Sequence, residues 1–118
     1  MHSHILLKAT LDISNPLLTN IVYGGSFLIE WIRINSMKII NQPVMHKFET
    51  EKMCLNKPGG ISGIALLCES HVSIHTYPET QTIYADIFSC RDLDKGKNIE
   101  FIKKYNPKSI DIKLIHRN

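Results

Sequence analysis

The sequence predicts an α+β two-layer sandwich, a mostly antiparallel sheet with two helices packed on one face. Short apolar or alternating stretches, rich in β-branched residues, recur along the chain at residues 5–13, 37–48, 61–68, 72–77, 82–88 and 110–116. Two other stretches, 17–34 and 92–105, repeat their apolar groups at helical spacing. The segment Pro78-Glu79-Thr80-Gln81 supplies a hairpin-like turn between two of the strand stretches. Strand, helix, a block of strands, helix, strand is the order of an α+β layer pair.

Each element has its own local reason. Residues 5–13 (ILLKATLDI) open the chain as a strand, and Asn15-Pro16 marks a turn and a helix start. In the first helical stretch Leu18, Ile21, Val22, Phe27, Leu28, Trp31 and Ile32 recur on one side. Gly24-Gly25 in its middle costs about 1 kcal/mol per glycine relative to alanine, which favours a kink or a close backbone approach. Residues 37–48 read as a strand that Pro43 confines to an edge or a bulge. Residues 49–60 are polar, contain Pro58-Gly59-Gly60, and read as a loop. The run ISGIALLC at 61–68 is apolar enough for a strand covered on both faces, with Cys68 packed as a small hydrophobe. The second helix has Asp92 or Asp94 as its cap and ends at Asn106-Pro107, before a cleanly alternating last strand, IDIKLIH.

Composition narrows the class of protein. A chain of 118 residues fits one compact domain spanning residues 1–118. Its hydrophobic content of 43% and charged content of 21% are those of a globular protein. The net charge of +3 is scattered, and the densest basic stretch, 95–104, is interrupted by Gly96, Asn98, Glu100 and Phe101. That pattern reads as a solvated helix face rather than a nucleic-acid surface. Cys54, Cys68 and Cys90 form no C-x-x-C pair, so neither a zinc ribbon nor a disulfide framework is expected. No stretch resembles a signal peptide or reaches the roughly 18 apolar residues of a membrane span, so a reduced cytoplasmic setting is expected.

Reactive side chains concentrate in one span: Ser62, Cys68, Glu69, Ser70, His71, Ser73, His75, Glu79, Asp86, Ser89 and Cys90. On a strand, residues two apart share a face, so His71, Ser73 and His75 project together. They follow a Glu69-Ser70 step at a strand-to-strand connection, where backbone strain can expose a peptide bond to its own side chain. Three chemistries compete. A hydrolase would use Ser70 with His75 as base, but no G-x-S-x-G elbow surrounds the serine. A metal site from His71, His75 and an acid lacks helical i, i+4 geometry and an H-E-x-x-H motif. Self-processing would let Ser70 attack the Glu69 carbonyl and leave a pyruvoyl group.

The stretch GISGIALLCESHVSIHTYPETQTIYADIFSC at 60–90 resembles the bacterial and archaeal S-adenosylmethionine decarboxylase proenzymes. It carries in order their G-x-S-G strand, E-S-H cleavage step, S-I-H-T-aromatic-P-E segment and D-x-F-[ST]-C motif, with His46-Lys47-Phe48-Glu49 matching the segment before them. The resemblance implies cleavage between Glu69 and Ser70 into a β chain (1–69) and an α chain (70–118) headed by a covalent pyruvoyl cofactor made from Ser70. Ser62 and His75 would serve processing, with His75 removing the Cα proton of residue 70. Cys90 would donate a proton to the substrate carbon. Phe48, Tyr77 and Glu79 fall where the nucleoside of S-adenosylmethionine would be held. The resemblance further implies a homodimer with active sites near the subunit boundary, while the residue pattern leads to the expectation of no metal, no nucleic acid and no membrane. Departures are Tyr77 where tryptophan is usual, Arg91 where glycine is usual, and a longer polar loop at 49–59. They leave a pyruvoyl decarboxylase of arginine or ornithine, or a non-catalytic nucleoside- or partner-binding homologue, as alternatives.

Overall fold

A computed structural model describes residues 2–48 and 59–117. Six strands form one sheet: β1 (His2–Thr10), β2 (Val44–Lys47), β3 (Ile61–Leu67), β4 (Ser70–Tyr77), β5 (Thr82–Ser89) and β6 (Ser109–Arg117). Their order across the sheet is β2-β3-β4-β5-β1-β6, and every neighbouring pair is antiparallel. Helices α1 (Ile21–Ile34) and α2 (Lys95–Lys103) cover one face. The predicted two-layer α+β architecture is the observed one.

Boundaries moved where tertiary contacts overrode local pattern. The first strand starts earlier, at His2, and stops at Thr10, because β5 and β6 pair with it on both sides over those residues. The stretch 37–48 is not one strand. Only Val44–Lys47 pair with β3, and Ile39 makes an isolated bridge to Leu67. Pro43 immediately precedes that short strand, which sits at the sheet edge, where a neighbouring proline is tolerated. The first helical stretch splits into a 3-10 turn at Pro16–Leu18, capped by Asn15, and α1, whose Asn20 side chain accepts from the amides of Val22 and Tyr23. Asp94 caps α2 by accepting from the Lys97 amide. The loop expected at 49–60 lies almost wholly outside the described residues.

The core follows from period 2 meeting period 3.6. Ile5, Leu7 and Ala9 of β1, Ile61, Ala65 and Leu67 of β3, Val72 and Ile74 of β4, and Ile83 and Ile87 of β5 all point at the helices. Phe27, Leu28, Trp31 and Ile32 of α1 and Phe101 and Ile102 of α2 meet them. Phe27 lies 5.3 Å from Phe101 and 5.5 Å from Trp31, and the Trp31 and Phe101 rings stack. Gly24 permits the close approach that its sequence position suggested. A β-carbon there would strike Ile61, and the Met45 methyl would lie 2.8 Å away, so α1 rides directly over the β2–β3 edge.

One buried polar group joins the helices. Asn98 Oδ1 accepts from Trp31 Nε1 at 2.6 Å and from Asn35 Nδ2 at 2.9 Å, while its own amide donates to Asn35 Oδ1 and the Asp94 carbonyl. All these buried groups are thereby satisfied. Asn98→Ala leaves the Trp31 N–H without a partner and is expected to cost about 2–3 kcal/mol in urea unfolding, whereas exposed Lys97→Ala should change stability by less than about 0.5 kcal/mol.

Candidate active site

Among the described residues, no helix covers the second face of the sheet. Strand alternation sends His4, Leu6 and Lys8 of β1, Ile64 and Leu66 of β3, and Tyr84, Asp86 and Phe88 of β5 to it. His71, Ser73, His75 and Tyr77 of β4 project there together, as their spacing predicted. Strand β3 is therefore covered on one face only, and Ile64 and Leu66 are 46% and 56% exposed, contrary to the expectation of cover on both faces.

At one end of this face Ser62 and His75 stand opposite each other on β3 and β4, with Ser62 Oγ 2.8 Å from His75 Nδ1. The glycines of G-x-S-G hold β3 close to its neighbours. A β-carbon at Gly60 would strike the Thr76 carbonyl oxygen, and one at Gly63 would strike Met45. Thr76 locks the same end, its buried hydroxyl donating to the Leu18 carbonyl and accepting from the Ile61 amide. Tyr77, Glu79 and Phe48 lie at this end too. Tyr77 meets the edge of Tyr84 at 5.7 Å, Glu79 is exposed in a 3-10 turn after β4, and the Phe48 amide donates to the Gly60 carbonyl while its ring meets His46 at 4.6 Å. A cavity of about 510 Å³ opens over Val44, His46, Ser62, Ile64 and His75 and runs toward Asp86.

Ser70 sits at the opposite end. It is the first residue of β4, 8% exposed, and its Oγ accepts from the Cys90 amide at 3.1 Å. Glu69 before it holds φ at 57°, a left-handed conformation that costs a glutamate roughly 1–3 kcal/mol, so the expected backbone strain lies at the Glu69-Ser70 step. Among the described residues of the same chain, no imidazole or carboxylate hydrogen-bonds Ser70 Oγ. Cys68, expected in the core, is instead exposed, because it lies in the turn beyond the last core position of β3, with its amide donating to Lys38. Arg91 is exposed and its guanidinium donates to the Ser36 carbonyl at 3.0 Å, which keeps it away from the face.

Between the two ends lies a cluster that joins His71, Ser73 and Asp86 of the reactive span to His4, which the sequence did not single out. Asp86 Oδ2 is 2.7 Å from His4 Nε2 and 3.4 Å from His71 Nε2, and Ser73 Oγ donates to Oδ1. Burial alone would push the Asp86 carboxyl up. The hydrogen bonds from Ser73 and His4 and the proximity of His71 outweigh it and hold the group below its ordinary value. Its contribution to stability is therefore present above the ordinary carboxylate pKa and is lost as pH falls through the depressed one. Among the described residues, His4, His71 and Asp86 are the group whose donor atoms lie close enough together, within 4.8 Å, to share a metal. His71 thus pairs with His4 and Asp86, while His75 pairs with Ser62. Register alone brings His4 into the group, since β1 reaches β4 only across β5.

Residues 4–118 match the family described as S-adenosylmethionine decarboxylase. Over 54 residues the chain is 46% identical to the S-adenosylmethionine decarboxylase proenzyme of Archaeoglobus fulgidus, covering 44% of this chain and 48% of that protein. It is 42% identical over 62 residues to the proenzyme of Aquifex aeolicus, covering 51% and 45%. These alignments span just under half of each relative's length. The fold is similar to the crystal structure of the adenosylmethionine decarboxylase from Aquifex aeolicus, with a TM-score of 0.78 and 25% identity over 100% of this chain and 91% of that one. With the family match running from the first strand through the last, the chain belongs to the S-adenosylmethionine decarboxylase family.

Proposed function

We propose that this chain is a proenzyme that cuts itself at Glu69-Ser70, turns residue 70 into a pyruvoyl group and then decarboxylates S-adenosylmethionine. The product would be the aminopropyl donor for spermidine synthesis. The observation that carries the reading is the setting of Ser70, at the head of a strand, behind a left-handed Glu69 and against the Cys90 amide.

Maturation conserves atoms. Ser70 Oγ–H adds to the Glu69 carbonyl carbon, the proton passes to the Ser70 nitrogen, and the C–N bond breaks to leave an ester. A base then removes the Ser70 Cα proton. The Cβ–Oγ bond breaks, and the oxygen departs with the Glu69 carboxylate. Water releases ammonia from the dehydroalanine and leaves the pyruvoyl carbonyl. The surroundings fit such a group, since residue 70 is nearly buried and the Cys90 amide supplies a hydrogen-bond donor beside it. The pyruvoyl carbonyl supplies an electron sink for an amine substrate. Cys90, half-buried beside residue 70, would hold the proton that the substrate carbon receives, since a thiol placed next to the reacting carbon can act as a general acid. Free thiols at Cys68 and Cys90 accord with a reducing, cytoplasmic setting.

A second copy completes the site in this reading. His75 is five residues along β4 from Ser70, roughly 16 Å at about 3.3 Å per residue. Ser62, His75, Phe48, Tyr77 and Glu79 thus lie at one end of the sheet, and Ser70 and Cys90 lie at the other, with the Ser70 side chain turned toward the helices. A two-fold axis lying between two such faces, across the strands, sets one end of each copy against the other end of its partner and makes two equal sites. The face is apolar enough to be covered. Leu6, Ile64, Leu66, Tyr84 and Ile115 are 39–56% exposed on it.

Intact-mass measurement should show two fragments meeting at 69–70, the second with a pyruvoyl terminus, and Ser70→Ala should stay whole. A wild-type chain uncut after long incubation would rule the reading out. Cys90→Ala should lower kcat by about 10²-fold or more in material that has been cleaved. Labelled carbon dioxide should come from S-adenosylmethionine, and release from arginine or ornithine alone would overturn the substrate assignment. For the shared site, co-expressing Ser70→Ala with His75→Ala should restore cleavage of the His75→Ala chain, because that heterodimer holds one complete set. No cleavage in the mixture would mean that each chain processes itself alone.

A further inference from the structure

We propose that Asp86, acting through His71, Ser73 and His4, anchors the new amino end of the α chain once the 69–70 bond is broken. The inference rests on the self-cleavage reading and asks what holds residue 70 afterwards.

In the uncut chain residue 70 is held in three ways. It is bonded to the Glu69 turn, its Oγ accepts from the Cys90 amide, and it pairs with Leu67 in the β3–β4 ladder. Cleavage removes the first. The same chemistry carries Oγ away on the Glu69 carboxylate, so the Cys90 amide loses that acceptor as well. What remains is a strand that begins at its own reactive residue, and chain ends fray unless side chains tie them. Fraying matters here because misplacing a reacting group by about 1 Å can cost on the order of 10²-fold in rate.

The next side chain, His71, lies on the face opposite the residue 70 side chain and is gripped on two sides. Its ring stacks on Phe88 at 5.9 Å, and its Nε2 lies 3.4 Å from Asp86 Oδ2. Two residues on, Ser73 is the direct cross-strand partner of Asp86 and donates to its other oxygen. Asp86 is itself held from the far side by His4 Nε2 at 2.7 Å. One carboxylate thus ties β4 to β5 and β5 to β1, within the first four residues of the new chain. The side chains of His4, Asp86 and His71 are 17%, 23% and 39% exposed, so the ties are partly shielded from water. None of them uses an atom that maturation consumes. Asp86 is on this account a positioning residue, acting on residue 70 through His71 and the backbone between them.

The test compares Asp86→Asn in two backgrounds, the cleaved wild-type chain and uncleaved Ser70→Ala. Hydrogen exchange is read at the amides of 71–74, and cleavage is followed by intact mass. The expected result is normal cleavage, with protection of 71–74 falling about tenfold in the cleaved protein and less than about twofold in the Ser70→Ala background, where the peptide bond still holds the strand. In cleaved material kcat should fall by about 10²-fold with KM nearly unchanged. Ser73→Ala, a smaller change, should move exchange in the same direction and by less. Equal loss of protection in both backgrounds would overturn the proposal, because Asp86 would then be a general support of the sheet. Unchanged exchange in both would overturn it too, as would failure of Asp86→Asn to cleave while wild type does, since Asp86 would then serve the cut itself. A wild-type chain that never cleaves removes the self-cleavage reading and this inference together, and the mass measurement separates that outcome from the others.

Discussion

The fixed rise and two-residue period of strand β4 are the constraint on which the rest of the site depends. An extended strand cannot bend back on itself, so Ser70 and Tyr77 stand at opposite ends of the sheet, seven residues and roughly 23 Å apart. The alternation turns the Ser70 side chain toward the helices and His71, Ser73, His75 and Tyr77 away from them. A slip of one residue would exchange these sets and bury three ring-bearing polar or amphipathic side chains beneath α1. Pairing with β3 and β5 on both sides prevents it, and the Ser62–His75 and Ser73–Asp86 pairs mark the register on the open face.

The helical layer makes that strand a rigid platform. Trp31, Phe27 and Phe101 fill the space between α1, α2 and the sheet, and the Asn98 amide fixes how the two helices meet. At the sheet edge, Gly24 and Gly63 remove side chains where α1 crosses β2 and β3, so Met45 and Ile61 lie against bare backbone. This packing holds β3, and with it Ser62 at the hydrogen-bonding distance from His75. A small domain has few such contacts to spare, and here nearly all of them support one side of the sheet. The opposite side leaves Leu6, Ile64, Leu66 and Tyr84 exposed beside its polar groups.

Charge is arranged with the same economy. Asp86 is the acidic residue on the central strands of the open face, and it lies between His4 and His71 rather than beside the Ser62–His75 pair. The two histidine sites are therefore electrostatically distinct, one beside a carboxylate and one beside a hydroxyl. Glu79 stands outside the sheet in an exposed turn, where a polar contact with a ligand costs it little desolvation.

Much of this was readable from residue order alone. Periodicity announced two helices and a sheet, Pro43 announced an edge strand, and the linked motifs from Gly60 to Cys90 pointed to the family. The shared projection of His71, Ser73 and His75 needed only the geometry of a strand. Other features could not be read, for a common reason. Strand boundaries at 2–10 and 44–47 depend on which neighbours pair, the exposure of Cys68 depends on where β3 stops, and His4 reaches Asp86 only because β1 inserts beside β5. The separation of Ser70 from His75 was implicit in their spacing, yet it carries meaning only once both are known to lie on one straight strand. Sequence by itself determined the local conformations and the chemical groups available. Tertiary structure decided which of those groups meet, because pairing register and strand order are set by contacts between residues far apart in the chain.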